Sequence, residues 1–401
     1  MNRLRILQVF NRYIHPGGEE NSVYRIGDAL QEVHDVEYFL GSTQELLGNN
    51  MASRLFSPVG AFYNIRAARR LKRYQAVGRF DIWQIHNVLP GLSPAVYQVA
   101  FSLGVPVVHF LHNYRMGCVN GLFLNHGSPC ERCIHGSFWP AFRTGCWHNS
   151  RLISGAMALI TLRIRQLGTF HKVSAWVALS QIQKEKHIQI GLPKDKIHIV
   201  PHFYQPKWPA PPPCADGDVL FLGRLSPEKG VAQLLYAWKL VRALDRKLII
   251  AGDGPELLAL RGLSRNLGLT NVDFLGFLKP DSQREIWAKT AFSVIPSIMN
   301  DSFPLSFLES WANARPFVAN RIGALAEVVE EGRNGLLAEP FSPESLAAGI
   351  RALLADSGRC IAMGVEGREK ILREFNKPLW LERMNNIYKK IAPGAFSAKF
   401  D

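Results

Sequence analysis

Two cations share one short stretch, Leu222-Gly223-Arg224-Leu225-Ser226-Pro227-Glu228-Lys229-Gly230. A guanidinium can fork two phosphate oxygens and an ammonium adds a compact charge, so Arg224 and Lys229 suit a departing diphosphate with its roughly two negative charges. Two solvated surface charges would be spelled the same way. Further on, the segment Pro296 to Pro316 sets Asp301 and Ser302 before an expected helix, Pro304 in its first turn and Glu309 inside it among apolar neighbours. Either Asp301 caps that helix and Glu309 pairs with a cation, or both carboxylates accept hydrogen bonds from sugar hydroxyls. Near the start, His15-Pro16-Gly17-Gly18-Glu19-Glu20 leads from an apolar run into helical periodicity. Gly17 and Gly18 either let a diphosphate approach backbone N–H groups at the positive end of that helix or make a tight turn that needs positive φ. His112 follows the apolar run Pro106 to Leu111, and His86 stands at the end of a similar one. A strand-end imidazole can bind sugar or phosphate oxygens, and a buried structural histidine is its plain alternative.

Cys118, Cys130, Cys133 and Cys146 follow the pattern C-x11-C-x2-C-x12-C in a segment of about 115–150 rich in Gly, His and Trp. Four thiolates would satisfy a tetrahedral structural zinc, which would order a segment with little core of its own. Free buried thiols and disulfides are the other readings, the last disfavoured in a reducing compartment.

These residues need a scaffold that brings distant loops together. Short β-branched runs alternate with helix-length segments: Ile6–Phe10, Val36–Phe39, Ile82–Ile85, Val107–Leu111, Trp176–Leu179 and Ile197–Val200 come first. After the proline-rich stretch Gln205 to Pro213 the rhythm restarts with Val219–Gly223, Leu248–Gly252, Val272–Gly276, Phe292–Pro296 and Phe317–Asn320. Alternation of this kind predicts an α/β class with two parallel-sheet domains, whose ligands lie outside the carboxyl ends of the strands. The expected division is 1–205 and 216–375 joined by a linker at 206–215, with the last helix from 376 to 401 returning to complete the first domain.

The chain has 401 residues, 47% hydrophobic and 20% charged, and its mean hydropathy is near zero, which excludes disorder as the main state. Its net charge of +14 sits in the front half, where residues 1–210 hold 23 Lys and Arg against 11 Asp and Glu. Such a domain attracts nucleic acid, an anionic membrane surface or a pyrophosphate-linked ligand. The start, Met1-Asn2-Arg3-Leu4-Arg5 before five apolar residues, lacks the pattern of an export leader, and the longest weakly polar run, Leu152 to Leu162, is too short to cross a bilayer. A cytoplasmic location is expected. Arg66, Arg69, Arg70, Lys72 and Arg73 lie at helix-compatible spacing, and Leu152 to Lys172 mixes an apolar face with Arg163, Arg165, His171 and Lys172. Both stretches fit contact with the inner face of a membrane, or a solvated helix face.

Taken jointly, Gly17-Gly18, Gly223-Arg224 with Lys229, Ala251-Gly252-Asp253-Gly254-Pro255 and Asp301 to Glu309 resemble the family 4 (group 1) retaining glycosyltransferases in order, spacing and domain position. The resemblance implies the GT-B fold, two Rossmann-like domains facing each other across a cleft, the first for the acceptor and the second for a nucleotide diphosphate-sugar donor. It implies that Gly18 offers its backbone to the donor diphosphate, that Arg224 and Lys229 hold the same group, and that His112 is the family's active-site histidine. Asp301 stands where the family usually has a Glu contacting the donor sugar, and Glu309 matches the Glu on the ribose hydroxyls. Phe303 and Leu305 keep N–H groups for the donor, whereas Pro304, in place of the commoner glycine, has none. A subset of the family resembles the cysteine segment as well, from Asn113-Tyr114-Arg115 to Cys118. No catalytic cofactor is implied. The acceptor expected is a saccharide or lipid-linked saccharide of cell-surface polysaccharide assembly, not nucleic acid. Competing readings are another GT-B enzyme such as a nucleotide-sugar epimerase, and a basic zinc-containing nucleic-acid-binding protein.

Overall fold

A computed structural model of the chain describes residues 3–13, 17–44, 60–243 and 245–397. It divides into two compact units. Unit 1 holds the chain up to His126, Cys130–Pro201 and everything from Trp380 on; unit 2 holds Gly127–Pro129 and His202–Leu379.

Unit 1 is built on six parallel strands: β1 (Arg5–Arg12), β2 (Asp35–Ser42), β3 (Ile82–Ile85), β4 (Val107–Phe110), β5 (Ala175–Ala178) and β6 (Ile197–Ile199). Their order is β2-β1-β3-β4-β5-β6, with Ile6 opposite both Val36 and Ile82. Helices cover both faces, so the central strands are buried along their length and read as unbroken apolar runs rather than alternating ones. The exceptions on those strands are polar: Gln8, Gln84 and His109 are buried among Leu7, Val9, Trp83, Ile85 and Val107. The helix expected over 376–401 is two, Lys377–Ile391 and Pro393–Ser397; the first sends Trp380, Met384, Ile387 and Tyr388 into the interior, and His34 Nε2 lies 2.7 Å from Asn385 Oδ1.

Unit 2 has its own six parallel strands: β7 (Asp218–Leu222), β8 (Leu248–Ala251), β9 (Val272–Gly276), β10 (Thr290–Ile295), β11 (Phe317–Asn320) and β12 (Leu336–Ala338). The order is β9-β8-β7-β10-β11-β12. Its core is apolar, formed by Val219, Phe221, Trp238, Ile250, Phe292, Val294 and Val318. Both units are therefore Rossmann-like. Strand β12 escaped the sequence reading because three residues carry too little periodicity to register.

The proline-rich stretch after Gln205 is pinned to unit 2. Buried Arg315 donates to Pro212 O at 2.7 Å and to Thr290 O at 2.6 Å, and Trp208 Nε1 donates to Asn313 Oδ1 at 2.9 Å. Ordinary side-chain caps start several helices: Asn64 accepts from Ala67 N, Ser180 from Gln183 N and Ser342 from Ser345 N. Each such cap contributes about 1 kcal/mol.

Candidate active site

In an open parallel sheet the ligand crevice lies where the strand order reverses. In unit 2 that point falls between β7 and β10, so the loops after them, Gly223–Gly230 and Pro296–Pro304, flank it. Lys229 from the first loop reaches Asp301 from the second, Nζ to Oδ2, at 2.5 Å. The pair keeps 25% and 12% of its side chains exposed, enough for a ligand to touch both. The capping expectation for Asp301 therefore fails. Pro304 is the N-cap of the helix Leu305–Ala312, one position outside the first turn expected for it, and no side chain caps that end.

Backbone bonds lace the surrounding loops. Gly223 N donates to Ala251 O at 3.0 Å, Leu225 N to Asp253 O at 2.9 Å, Ile298 N to Glu228 O at 3.0 Å and Ala324 N to Asp301 O at 3.2 Å. Two glycines make this approach feasible. A Cβ on Gly252 (φ 149°) would fall 1.8 Å from Gly223 O, and one on Gly323 (φ 58°) would fall 2.6 Å from Asp301 O. Arg224 is exposed at the rim, and its guanidinium makes no hydrogen bond or ion pair among the described residues. Phe303 is buried by its ring, against His202 at 5.9 Å and Phe307 at 4.9 Å between centroids, so it serves the core with its side chain. Leu305 opens the helix, and Glu309 lies half-buried one turn on. Lys229, Asp301 and the start of the Leu305 helix thus stand at one end of the sheet, with Arg224 on the same loop as Lys229.

Unit 1 reverses between β1 and β3. After β1 come Gly17 and Gly18, residues 14–16 lying outside the described part. Gly17 is extended at φ −146° and Gly18 is the first residue of the helix Gly18–Gln31, which has no side-chain cap. A Cβ on either would meet nothing within 4 Å among the described residues. Neither glycine takes the positive φ expected in the plain reading, and among the described residues nothing crowds either place.

After β3 comes His86, buried, and after β4 comes His112, half-buried; His86 Nδ1 and His112 Nε2 lie 2.8 Å apart. Both rings line a cavity of about 20 Å³, room for one water, with Asn87, His109, Asn113 and Arg115. Burial pushes His112 down to about 3, so the ring is neutral at neutral pH. His109, its hydroxyl contact to Tyr97 at 3.2 Å, is also pushed to about 3 by burial and by the neighbouring imidazoles. Beside them Glu19 faces Tyr13 Oη at 3.2 Å, and burial raises its carboxyl despite the nearby Arg115. His86 had the weaker claim in the sequence; Gln8, Gln84 and Tyr388 had none, because nothing in their local pattern separates them from core positions.

The four cysteines of the inserted segment line one small cavity together with Asn120 and Arg132. All are free thiols, and Cys118 Sγ lies 3.1 Å from Asn120 Oδ1. Burial pushes Cys133 up to about 12 and Cys146 up to about 11, and the neighbouring thiols add to it. No three His, Cys, Asp or Glu side chains among the described residues are grouped as a metal site.

Of the basic stretches, Ile65–Gly78 is a helix with Arg66, Arg69, Arg70, Lys72 and Arg73 all exposed. The second stretch divides into helices Arg151–Gln166 and Thr169–Lys172 at Gly168. Arg165 turns inward there, over the rings of Phe138 at 5.2 Å and Phe170 at 5.1 Å and onto Met116 O at 3.0 Å, so it belongs to the packing and not to a basic face. Among the described residues no helix is long and apolar enough to cross a membrane.

Each Rossmann-like unit thus carries a close pair of polar side chains at its switch point, a cation and a carboxylate in unit 2 and two imidazoles in unit 1. The chain belongs to the family 4, group 1 glycosyltransferases: residues 16–208 match the model described as Glycosyltransferase Family 4, and residues 216–356 the model described as Glycosyl transferases group 1. An uncharacterized glycosyltransferase of Methanocaldococcus jannaschii is 34% identical over 173 residues, 43% of this chain and 44% of that one, so the chain spans less than half the length of that relative. Alpha-maltose-1-phosphate synthase of Mycolicibacterium smegmatis is 27% identical over 65% of this chain and 79% of its own. Among solved structures of GT-B enzymes, Anabaena HepE in complex with UDP and glucose has a TM-score of 0.69 at 18% identity, covering 97% of this chain and 100% of that one.

Proposed function

We propose that the protein transfers a sugar from a nucleoside diphosphate sugar to a hydroxyl acceptor, with retention of anomeric configuration. The observation that carries this reading is the Lys229–Asp301 pair astride the unit 2 switch point, with exposed Arg224, unpaired among the described residues, on the same loop. Arg224 and Lys229 would take the negative charge that builds on the departing diphosphate, and Asp301 would hold sugar hydroxyls. The N–H groups of Phe303 and Leu305 at the uncapped helix start would add partial positive charge beside them. Glu309, on the same helix, would take the ribose hydroxyls. The acceptor hydroxyl would attack the face the diphosphate leaves, passing its proton to a phosphate oxygen. In unit 1, neutral His112 and the backbone of Gly17 and Gly18 would meet donor oxygens. UDP in the HepE complex supports a nucleotide donor as a class.

The testing experiment incubates the full chain with UDP-, GDP- and ADP-sugars, with and without a lipid-linked saccharide extract. Free nucleoside diphosphate appearing only with acceptor supports transfer. Sugar isomer without nucleotide release points to an epimerase, and no change with any sugar overturns the reading.

A structural zinc is proposed for Cys118, Cys130, Cys133 and Cys146, favoured by the single cavity they line. Crowded thiolates raise one another's pKa, and a cation among them would reverse that repulsion. Protein purified without chelator should carry close to one zinc per chain, lost with order in the segment on chelation; metal-free folded protein refutes it. The exposed cations of the Ile65 helix are proposed to rest on an anionic membrane where the lipid-linked acceptor resides.

A further inference from the structure

A continuous buried chain of polar groups runs to His112 from parts of the sequence far apart. Tyr388 Oη on the helix Lys377–Ile391 donates to Gln84 Oε1 on β3, 304 positions away. The Gln84 amide nitrogen lies 3.3 Å from His86 Nε2. On the other side, Gln8 of β1 is fixed by the helix Gly18–Gln31: its amide satisfies both ends only with the oxygen toward Gly27 N at 3.1 Å and the nitrogen toward Val23 O at 3.3 Å. In that orientation the same nitrogen lies 3.2 Å from His86 Nε2. Gln8, Gln84 and Tyr388 are fully enclosed and His86 nearly so, so bulk solvent does not compete for these bonds.

Two amide nitrogens aimed at one ring nitrogen require that nitrogen to offer a lone pair. His86 Nε2 then carries no hydrogen, and His86 must carry it on Nδ1. That hydrogen points at His112 Nε2, 2.8 Å away, which must accept. We propose that Gln8, Gln84 and Tyr388 lock the tautomer of His86, and that His86 in turn fixes His112 with its hydrogen on Nδ1, so that His112 meets its ligand as a neutral donor of defined direction. Gln8, Gln84, His86 and Tyr388 are positioning residues in this scheme; none needs to touch substrate. The helix Lys377–Ile391 thereby acquires a role beyond covering the sheet, because its Tyr388 hydroxyl anchors the far end of the Gln84 amide, while Gln8, fixed by Gly27 N and Val23 O, sets the direction at His86. The consequence for chemistry rests on the reading of His112 as a site residue, whereas the tautomer itself does not.

The test has two arms that fail separately. Two-bond ¹H–¹⁵N correlation on the ¹⁵N-histidine-labelled full chain should show His112 with a protonated Nδ1 and an unprotonated Nε2, and His86 with the same pattern. The reversed pattern at either ring overturns the proposal, whatever the activity proves to be. In the second arm, His86→Leu should show His112 in a mixture of tautomers, with kcat down about 10-fold and KM little changed. His86→Asn puts an amide N–H where Nδ1–H stood and should restore most of that loss. If Leu and Asn variants of equal melting temperature lose activity equally, the positioning role is wrong. If the tautomer is as proposed but no nucleoside diphosphate sugar is ever used, the function proposed above fails while the lock stands.

Discussion

The two units share a sheet architecture and part company in what they place at its carboxyl end. Unit 2 sets charged groups there, Lys229 against Asp301 and Arg224 on the rim, with buried Ser293 and Arg315 bonded within their own unit. Unit 1 sets neutral rings there, His86 against His112, over a core threaded with Gln8, Gln84 and His109. Eleven of the twelve histidines precede residue 200. A fold that tolerates both solutions does not choose the chemistry. Charge that must meet a diphosphate stays at the surface, where its desolvation cost is small, whereas an imidazole kept neutral can be sunk into the sheet and aimed by buried partners.

The contrast is most easily broken at Arg224. Arg224→Ala should lower turnover about 10²-fold or more through loss of charge stabilisation in the transition state. Because the residue is exposed and makes no side-chain hydrogen bond or ion pair among the described residues, the variant's melting temperature should stay that of the parent. Lys229→Ala should cost as much turnover and some stability too, since it strands the buried Asp301. Single-turnover kinetics beside melting curves separates the two effects. Full activity in Arg224→Ala would remove unit 2's rim from the chemistry and leave the contrast between the units without functional content.

A second prediction concerns acid. His109, His112 and His187 are each held below the usual imidazole range by burial, at about 3, 3 and 4. Below pH 6.5 the unfolded chain takes up protons that these rings refuse in the folded state, so stability falls as pH falls. Each fully enclosed imidazole contributes about 1.4 kcal/mol per pH unit, so His109 and His187 together amount to about 2–3 kcal/mol between pH 6 and pH 5. Glu19, raised by burial, works the other way and blunts the loss toward its own range. Unit 2 has only His202. Hydrogen exchange at pH 7, 6 and 5 should therefore show the amides of β4 losing protection well before those of β10. Equal loss in both units would contradict the burial argument.

How much of this was written in the sequence follows the same division. The unit 2 loops could be read because Arg224 and Lys229 are five positions apart and Asp301 and Glu309 eight, so their spacing is visible along the chain. Strands Ile82–Ile85 and Phe317–Asn320 read with their true bounds, since a fully buried parallel strand is a short apolar run between turn signals. The meeting of Lys229 with Asp301 was not legible, because capping and pairing use the same Asp and only the fold decides which partner arrives first. Tyr388, Gln84 and Gln8 were invisible for a different reason: polar residues inside apolar runs resemble imperfections in the pattern until their partners on other elements are seen. Arg165 misled in the opposite sense, a cation at exposed-face spacing whose stem and head are taken up by Phe138 and Phe170.

The smallest expected effect per residue lies on the helix Ile65–Gly78 of unit 1, whose cations make no ion pair among the described residues, unlike Lys229. Arg66, Arg69, Lys72 and Arg73 are exposed on one helix, and Ile65 at its start leaves 51% of its surface to solvent beside exposed Phe62 and Tyr63. Cations flanking apolar side chains favour an anionic bilayer by about 1 kcal/mol per charge near its surface, fading as salt screens them. Vesicles of equal parts phosphatidylglycerol and phosphatidylcholine should pull the protein down in a salt-dependent way, and phosphatidylcholine alone should not. Arg66→Gln with Arg69→Gln and Arg73→Gln should weaken that binding about 10²-fold, from roughly 1 kcal/mol lost at each position, while leaving turnover on a soluble acceptor at the parent level. Binding to neutral vesicles, or binding to anionic ones that ignores salt, would show that this face is merely solvated, and would leave unit 1 distinguished from unit 2 by its buried imidazoles alone.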